Sequence, residues 1–252
     1  MRRGIAGGIW TMKRICVLGN SHVGTLRRAW DGPIGSEYAD KAQLTFFAAR
    51  GALLHQLELS DGKLVSSNED VTNSITFTSG GLGEITIGDY DLFLISSLGL
   101  RDFPIPEGYY SQAVLKALLE DRYKPTIAYR LLRMIREVAD TKIVLGLAPI
   151  AACTDDDMGT IEASEAYFNS CIDSMAFANQ QFFAPWNAEL MGQPRSTLTA
   201  NGRHTLPHFT KNSRRLSIGD GLDDQIHPDT DRIHMNEDYG SLWLHDFFAK
   251  VL

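Results

Sequence analysis

Ser21, Asp231 and His234 are the side chains in this sequence best placed to pass a proton in relay. Ser21 ends the stretch Ile15-Cys16-Val17-Leu18-Gly19-Asn20-Ser21, an apolar run broken by glycine, and Thr25 to Trp30 reads as a helix closed by Asp31-Gly32. A serine at a strand–turn–helix junction lies where the sheet ends and the free N–H groups of a helix begin, the usual place for an exposed nucleophile. Taken alone, Gly-Asn-Ser equally suits an ordinary turn or a helix cap. A serine nucleophile needs a base, and the base needs an orienting acid. Asp231-Arg232-Ile233-His234 offers both: in a tight loop the carboxylate can accept the Nδ1 proton and leave Nε2 facing the serine. Asp224-Gln225-Ile226-His227 has the same spacing and stands as a reserve pair. Asp231 and His234 are preferred because a helix cap, Asn236, follows at once.

These groups must be positioned by a sheet. The strand pattern runs through Leu44 to Ala49, the continuous apolar segment Asp91 to Ser97, and Lys142 to Leu147, with a short strand at Gln181 to Phe183. Helical stretches fall at Tyr109 to Glu120, Thr126 to Ala139 and Ala163 to Asn179, and an amphipathic helix closes the chain. Such alternation predicts an α/β fold, a mostly parallel sheet wrapped by helices on both faces. Between His55 and Gly88 the pattern turns to short alternating runs. Ser60-Asp61-Gly62 marks a hairpin, with Ser74 to Thr78 and Glu84 to Ile87 as further strands, so 55–88 is expected to be a β-ribbon insertion. From Trp186 to about Asp224 the pattern fails, which predicts a long loop over 186–224.

Ligands of open α/β sheets bind outside the carboxyl ends of the strands, where Ser21, Gly51 and Gly99 all fall. At this point the residues resemble a family. Gly19-Asn20-Ser21-His22 near the start, with Asp231-x-x-His234 running through Met235-Asn236-Glu237-Asp238-Tyr239-Gly240 into a final helix, resembles the SGNH (GDSL-type) hydrolases. The resemblance covers nearly the whole chain in element order and implies a flavodoxin-like three-layer α/β/α sandwich. It implies Ser21 as nucleophile, His234 as general base and then acid, and Asp231 as its partner. The N–H groups of Ser21 and Gly51 would form part of the oxyanion hole, with help from the Gly99 to Arg101 turn. The implied activity is ester hydrolysis on a small acyl or acetyl ester, such as one on a sugar. Acyl transfer by the same triad, or a catalytically weak carbohydrate- or anion-binding relative, are the alternatives. No metal or organic cofactor is implied.

Two departures stand out. The third block of the family is Gly-x-Asn-Asp, whose asparagine donates to the oxyanion, whereas this chain has Gly99-Leu100-Arg101-Asp102. Losing one such donor costs roughly a hundredfold or more in turnover. Arg101 can replace the donor, bind an anionic substrate, or mark an altered enzyme. In the first block, Asn20 and His22 stand where aspartate and leucine are commonest, and both border the substrate position. Each glycine also has a plainer reading, since glycine after a strand often only permits a tight turn. His22 equally suits packing in the first helix turn.

Composition narrows the classes. The chain has 252 residues, 44% hydrophobic, and a formal net charge of −7. That supports a sizeable core in one domain and argues against a nucleic-acid partner, which needs a basic surface. Residues 1–12 read as an extension before a hydrolase domain over 13–252. The three cysteines, Cys16, Cys153 and Cys171, have no zinc or disulfide spacing, and no apolar run is long enough to span a bilayer. A cytoplasmic protein, with a homo-oligomer as an open state, is the expectation. His204 and His208 have i, i+4 spacing, but Pro207 between them spoils a helical metal pair. Arg195, Arg203, Lys211, Arg214 and Arg215 concentrate positive charge in the long loop, either as a solvated surface or as an attraction for an anionic substrate. Asp155-Asp156-Asp157 reads as a cap in the loop before the next helix.

Overall fold

A computed structural model describes residues 12–105, 108–161 and 164–252. Five strands form one parallel sheet: β1 (Lys13–Gly19), β2 (Ala42–Ala48), β6 (Leu92–Ser96), β7 (Lys142–Gly146) and β8 (Ala188–Met191), in the spatial order β2-β1-β6-β7-β8. The order reverses at β1, which has β2 on one side and β6 on the other, so the carboxyl end of β1 lies at the topological switch point.

The apolar runs of these strands are buried on both faces, as parallel strands between helices must be. Leu18, Phe47, Phe93, Ile95 and Leu145 face α3 (Glu69–Ser79), α4 (Gln112–Tyr123), α5 (Ile127–Val138) and α6 (Ala166–Ala178). Alternate residues Val17, Phe46, Leu94 and Val144 face α1 (Val23–Asp31), α2 (Pro33–Tyr38) and the closing α7 (Glu237–Val251). The result is the expected three-layer α/β/α arrangement. No described helix is long and apolar enough to cross a membrane.

The insertion is only half a ribbon. β3 (Glu58–Ser60) and β4 (Lys63–Val65) pair as predicted across Asp61 and Gly62, both left-handed at φ 49° and 77°, the conformation a tight hairpin turn demands. β5 (Ile85–Thr86) adds a third strand. The expected strand Ser74 to Thr78 is instead the second half of α3. Asn68 caps that helix by accepting the N–H groups of Asp70 and Val71, Glu69 and Asp70 suit its positive end, and Gly80 closes it at φ 80°. Val71, Ile75 and Thr78 are buried at i, i+4, i+7, so the helical period outweighs the apparent alternation.

Two more expectations change. Gln181 to Phe183 is a π-helical turn continuing α6, and the fifth strand of the sheet, β8, falls inside the supposed loop 186–224. Four residues, three of them buried, on a short edge strand leave too little periodicity to read. The helix expected from Tyr109 runs instead from Gln112, where Ser111 supplies the cap. Of the helix expected from Ala163, residue 163 lies outside the described residues, and it is described from Ala166. The expected extension over residues 1–11 also lies outside them.

Candidate active site

Ser21 is presented by a turn with no room for side chains at its start. A Cβ on Gly19 would meet Val23 Cγ2 at 2.1 Å and the Ser96 carbonyl at 3.0 Å, so only glycine lets β1 bend into α1 there. The Val23 and Gly24 N–H groups bond to the carbonyls of Asn20 and Ser21 at 3.0 and 3.2 Å, and the Asn20 side chain accepts the His22 N–H at 3.2 Å. Ser21 thus leaves the sheet at the first turn of α1.

His234 is carried to it by α7. Asn236 caps that helix by accepting the Tyr239 N–H, while its amide donates to the carbonyls of His208 and Lys211 at 2.9 and 3.1 Å. The Thr25 hydroxyl of α1 donates to the Asn236 carbonyl. A Cβ on Gly240 would meet the Thr25 carbonyl at 2.5 Å, so α1 and α7 approach closely because this residue is glycine. The two helices that follow Ser21 and His234 are therefore pinned to each other.

The outcome is a continuous chain of polar contacts. Ser21 Oγ lies 2.9 Å from His234 Nε2, and His234 Nδ1 lies 2.8 Å from Asp231 Oδ2. Asp231 Oδ1 accepts the backbone N–H groups of Ile233 and His234 at 2.9 Å each, and Oδ2 lies 3.2 Å from His227 Nδ1. Burial pushes the Asp231 pKa up, but the His234 N–H and ring more than offset it, so its carboxyl stays below the usual range. This arrangement can take a proton from a hydroxyl and hold the resulting imidazolium.

His227 belongs to this cluster in a way its motif did not indicate. The supposed partner Asp224 is turned away and pairs with Arg28 at 2.7 Å, so Asp224-x-x-His227 is not a dyad. His227 instead shares Asp231, four residues on, and its ring stacks on His234. The i, i+4 spacing of His227 and Asp231 was the available signal. His22 also stacks on His234, with centroids 5.1 Å apart, and burial is the main cause of its pKa falling to about 4.

The predicted oxyanion residues are less closely gathered. Gly51 follows β2 in a left-handed turn (φ 63°) at the same end of the sheet, and nothing lies within 4 Å of where its Cβ would be. Gly99 has φ 92° and would press a Cβ on Thr126 at 3.2 Å, which gives it a packing reason to be glycine. Arg101 is exposed, makes no hydrogen bond or ion pair among the described residues, and lies near enough for its charge to disfavour protonation of His22.

Most of the basic loop is occupied internally. Arg195 pairs with Glu165, Lys211 with Asp155, Arg214 bonds the Asp224 carbonyl, and Arg203 lies over the Tyr167 ring. Arg28 and Arg50 reach Asp224, Asp220 and Asp223, which ties the far end of the loop to α1 and the β2 turn. His208 lies against Phe209, in the short turn Pro207–Phe209. His227, Asp231 and His234 are the one cluster of three metal-ligating side chains among the described residues. Their rings are 6° from parallel, however, so the lone pairs run side by side and cannot converge on one ion.

No protein-family model matches the sequence, and no curated protein matches it. Among solved structures, the chain is similar to the periplasmic domain of a lipopolysaccharide acetyltransferase of Salmonella ser. Paratyphi A, at 13% identity and TM-score 0.44, over 96% of this chain and 84% of that one. It is similar to a GDSL-like lipase of Bacteroides thetaiotaomicron at 12% identity and TM-score 0.41, over 95% and 89% of the two chains. A carbohydrate acetylesterase family member of Sinorhizobium meliloti follows at 9% identity and TM-score 0.39, over 95% and 98%. In its own elements the chain resembles the SGNH hydrolases: a parallel sheet between helix layers, a serine after the first strand, and an Asp-x-x-His before the last helix.

Proposed function

We propose that this protein is a serine esterase that cleaves a carboxylic ester through an acyl-enzyme. The observation that carries the reading is the unbroken contact from Ser21 Oγ through His234 to Asp231, at 2.9 and 2.8 Å. His234 Nε2 takes the hydroxyl proton as Ser21 Oγ attacks the carbonyl carbon, and Asp231 holds the ring in the tautomer this requires. The tetrahedral oxyanion rests on the backbone N–H groups of Ser21 and Gly51, with Arg101 as the charged donor at the third block. His234 returns its proton to the leaving alcohol. Water, deprotonated by the same nitrogen, then releases the acid and regenerates Ser21.

The resemblance of Gly19-Asn20-Ser21-His22 and Asp231-x-x-His234 to the SGNH hydrolases is what bears on the acyl group. A small acyl ester, an acetylated sugar for instance, is the substrate class we assign.

The test is labelling of the intact protein by a fluorophosphonate probe, with Ser21→Ala and His234→Ala alongside. Labelling of the wild type, absent from both variants, is the expected result. A folded wild type that stays unlabelled would overturn the esterase reading in favour of a binding protein.

A further inference from the structure

His22, the residue after Ser21, carries a cost that packing does not explain. Its ring lies against that of His234, with centroids 5.1 Å apart and planes at 28°. Its Nδ1 is buried and has no hydrogen-bond partner among the described residues. A phenylalanine or leucine side chain would fill the same space without an orphaned nitrogen. The opposite edge of the ring differs. His22 keeps part of its surface exposed, and Nε2 also lacks a protein partner but is not buried.

The ring is uncharged at neutral pH. Burial is the first cause, His234, Arg101 and His227 add to it, Asp231 opposes it, and the pKa falls to about 4. A neutral imidazole has one N–H and one bare nitrogen. A buried N–H with no acceptor is the rarer defect, so the proton belongs on Nε2, where water or a ligand can accept it. The result is an uncharged N–H donor, open to solvent, one residue from the nucleophile.

The alcohol half of an ester is the part this donor meets. The leaving oxygen takes its proton from His234 Nε2, which belongs to the ring that His22 packs against. The oxyanion is met by the backbone N–H groups of Ser21 and Gly51 instead. An uncharged donor suits a hydroxyl or ether oxygen, whereas a carboxylate or phosphate calls for a cation. Resting on the esterase reading of Ser21, we propose that His22 is a substrate-contacting residue that selects the alcohol. Its Nε2–H donates to an oxygen on the carbon next to the one bearing the ester, as in a partly acylated polyol or sugar.

Glycerol 1-monoacetate and propyl acetate share a three-carbon chain and differ in the neighbouring hydroxyls. The readout is the ratio of their kcat/KM values, glycerol ester over propyl ester, in wild type, His22→Phe and His22→Gln. Glutamine keeps an amide N–H near the position of Nε2. His22→Phe should lower the ratio by about tenfold, the upper range for one uncharged hydrogen bond, and His22→Gln should restore part of it. Nitrogen NMR of the intact wild type at neutral pH reads the tautomer without a variant having to fold, and the proton is expected on Nε2. An unchanged ratio in folded His22→Phe, or a wild-type proton on Nδ1, would overturn the assignment, while labelling of Ser21 by the fluorophosphonate keeps the esterase reading. A folded wild type that neither labels nor hydrolyses either ester would overturn the esterase reading, and the assignment with it.

Discussion

At the scale of single residues, the site depends on a carboxylate with three donors. Asp231 Oδ1 accepts two backbone N–H groups, and Oδ2 accepts from the His234 ring. Asp231→Asn puts an amide donor or a neutral oxygen where His234 expects a charged acceptor, and the ring loses its required tautomer. Probe labelling should slow by about a thousandfold or more while the fold persists. Arg101 makes the opposite case. It has no hydrogen bond or ion pair among the described residues, so Arg101→Ala should leave the melting temperature unchanged. If its guanidinium serves the oxyanion, hydrolysis of a neutral aryl ester should lose about a hundredfold in kcat with little change in KM.

At the scale of elements, the site is the junction of α1 and α7. Neither helix holds the serine or the histidine in register by itself; Gly240 and the Thr25–Asn236 bond set their spacing. Gly240→Ala drives a methyl group against the Thr25 carbonyl. Overpacking of this kind costs about 1–3 kcal/mol. It should lower the melting temperature and, by separating Ser21 from His234, slow labelling more than the stability loss alone explains. Asn236→Asp offers a contrasting test. It retains the cap acceptor but loses the donors to the His208 and Lys211 carbonyls, so the 207–211 turn loosens while the helix remains. Thermal unfolding and far-UV circular dichroism distinguish the two variants. Elements were also where the sequence was least legible: α3 was read as strand because Ser74 to Thr78 alternates over a few residues. Its capping residues, Asn68 and Gly80, were the better signal.

At the scale of the molecule, acid should act on this cluster before it acts on the surface. His22 and His227 both have pKa values below the unfolded value, about 4 for His22, with burial the first cause. Between those values and about 6.5 the unfolded chain binds more protons than the folded one, so stability must fall as pH drops through that window. Their contribution is fully present only above about 6.5. Asp231, whose folded pKa is depressed, adds a further loss at lower pH, beginning below its unfolded value of about 3.9. The melting temperature should therefore decline by roughly 2 °C or more from pH 7 to pH 5, and the decline should be shallower in His22→Phe. An unchanged melting temperature across that range would show that neither ring is held neutral by the fold.

Local chemistry alone determined a large part of this protein. Glycine after an apolar strand, a serine at the turn and an Asp-x-x-His before a capped helix are short-range patterns, and each forms where its residues dictate. The strands of the sheet with long apolar runs and the Asn236 cap were legible for the same reason. Distances across the chain were not. That Ser21 meets His234 rather than His227, that Asp224 goes to Arg28, and that the His22 and His227 rings both stack on His234 depend on how α7 and the 207–236 segment dock on α1. Both Asp-x-x-His units satisfy the same local rule. Packing over more than two hundred residues of separation, through a glycine contact and a half-buried carboxylate, selects between them.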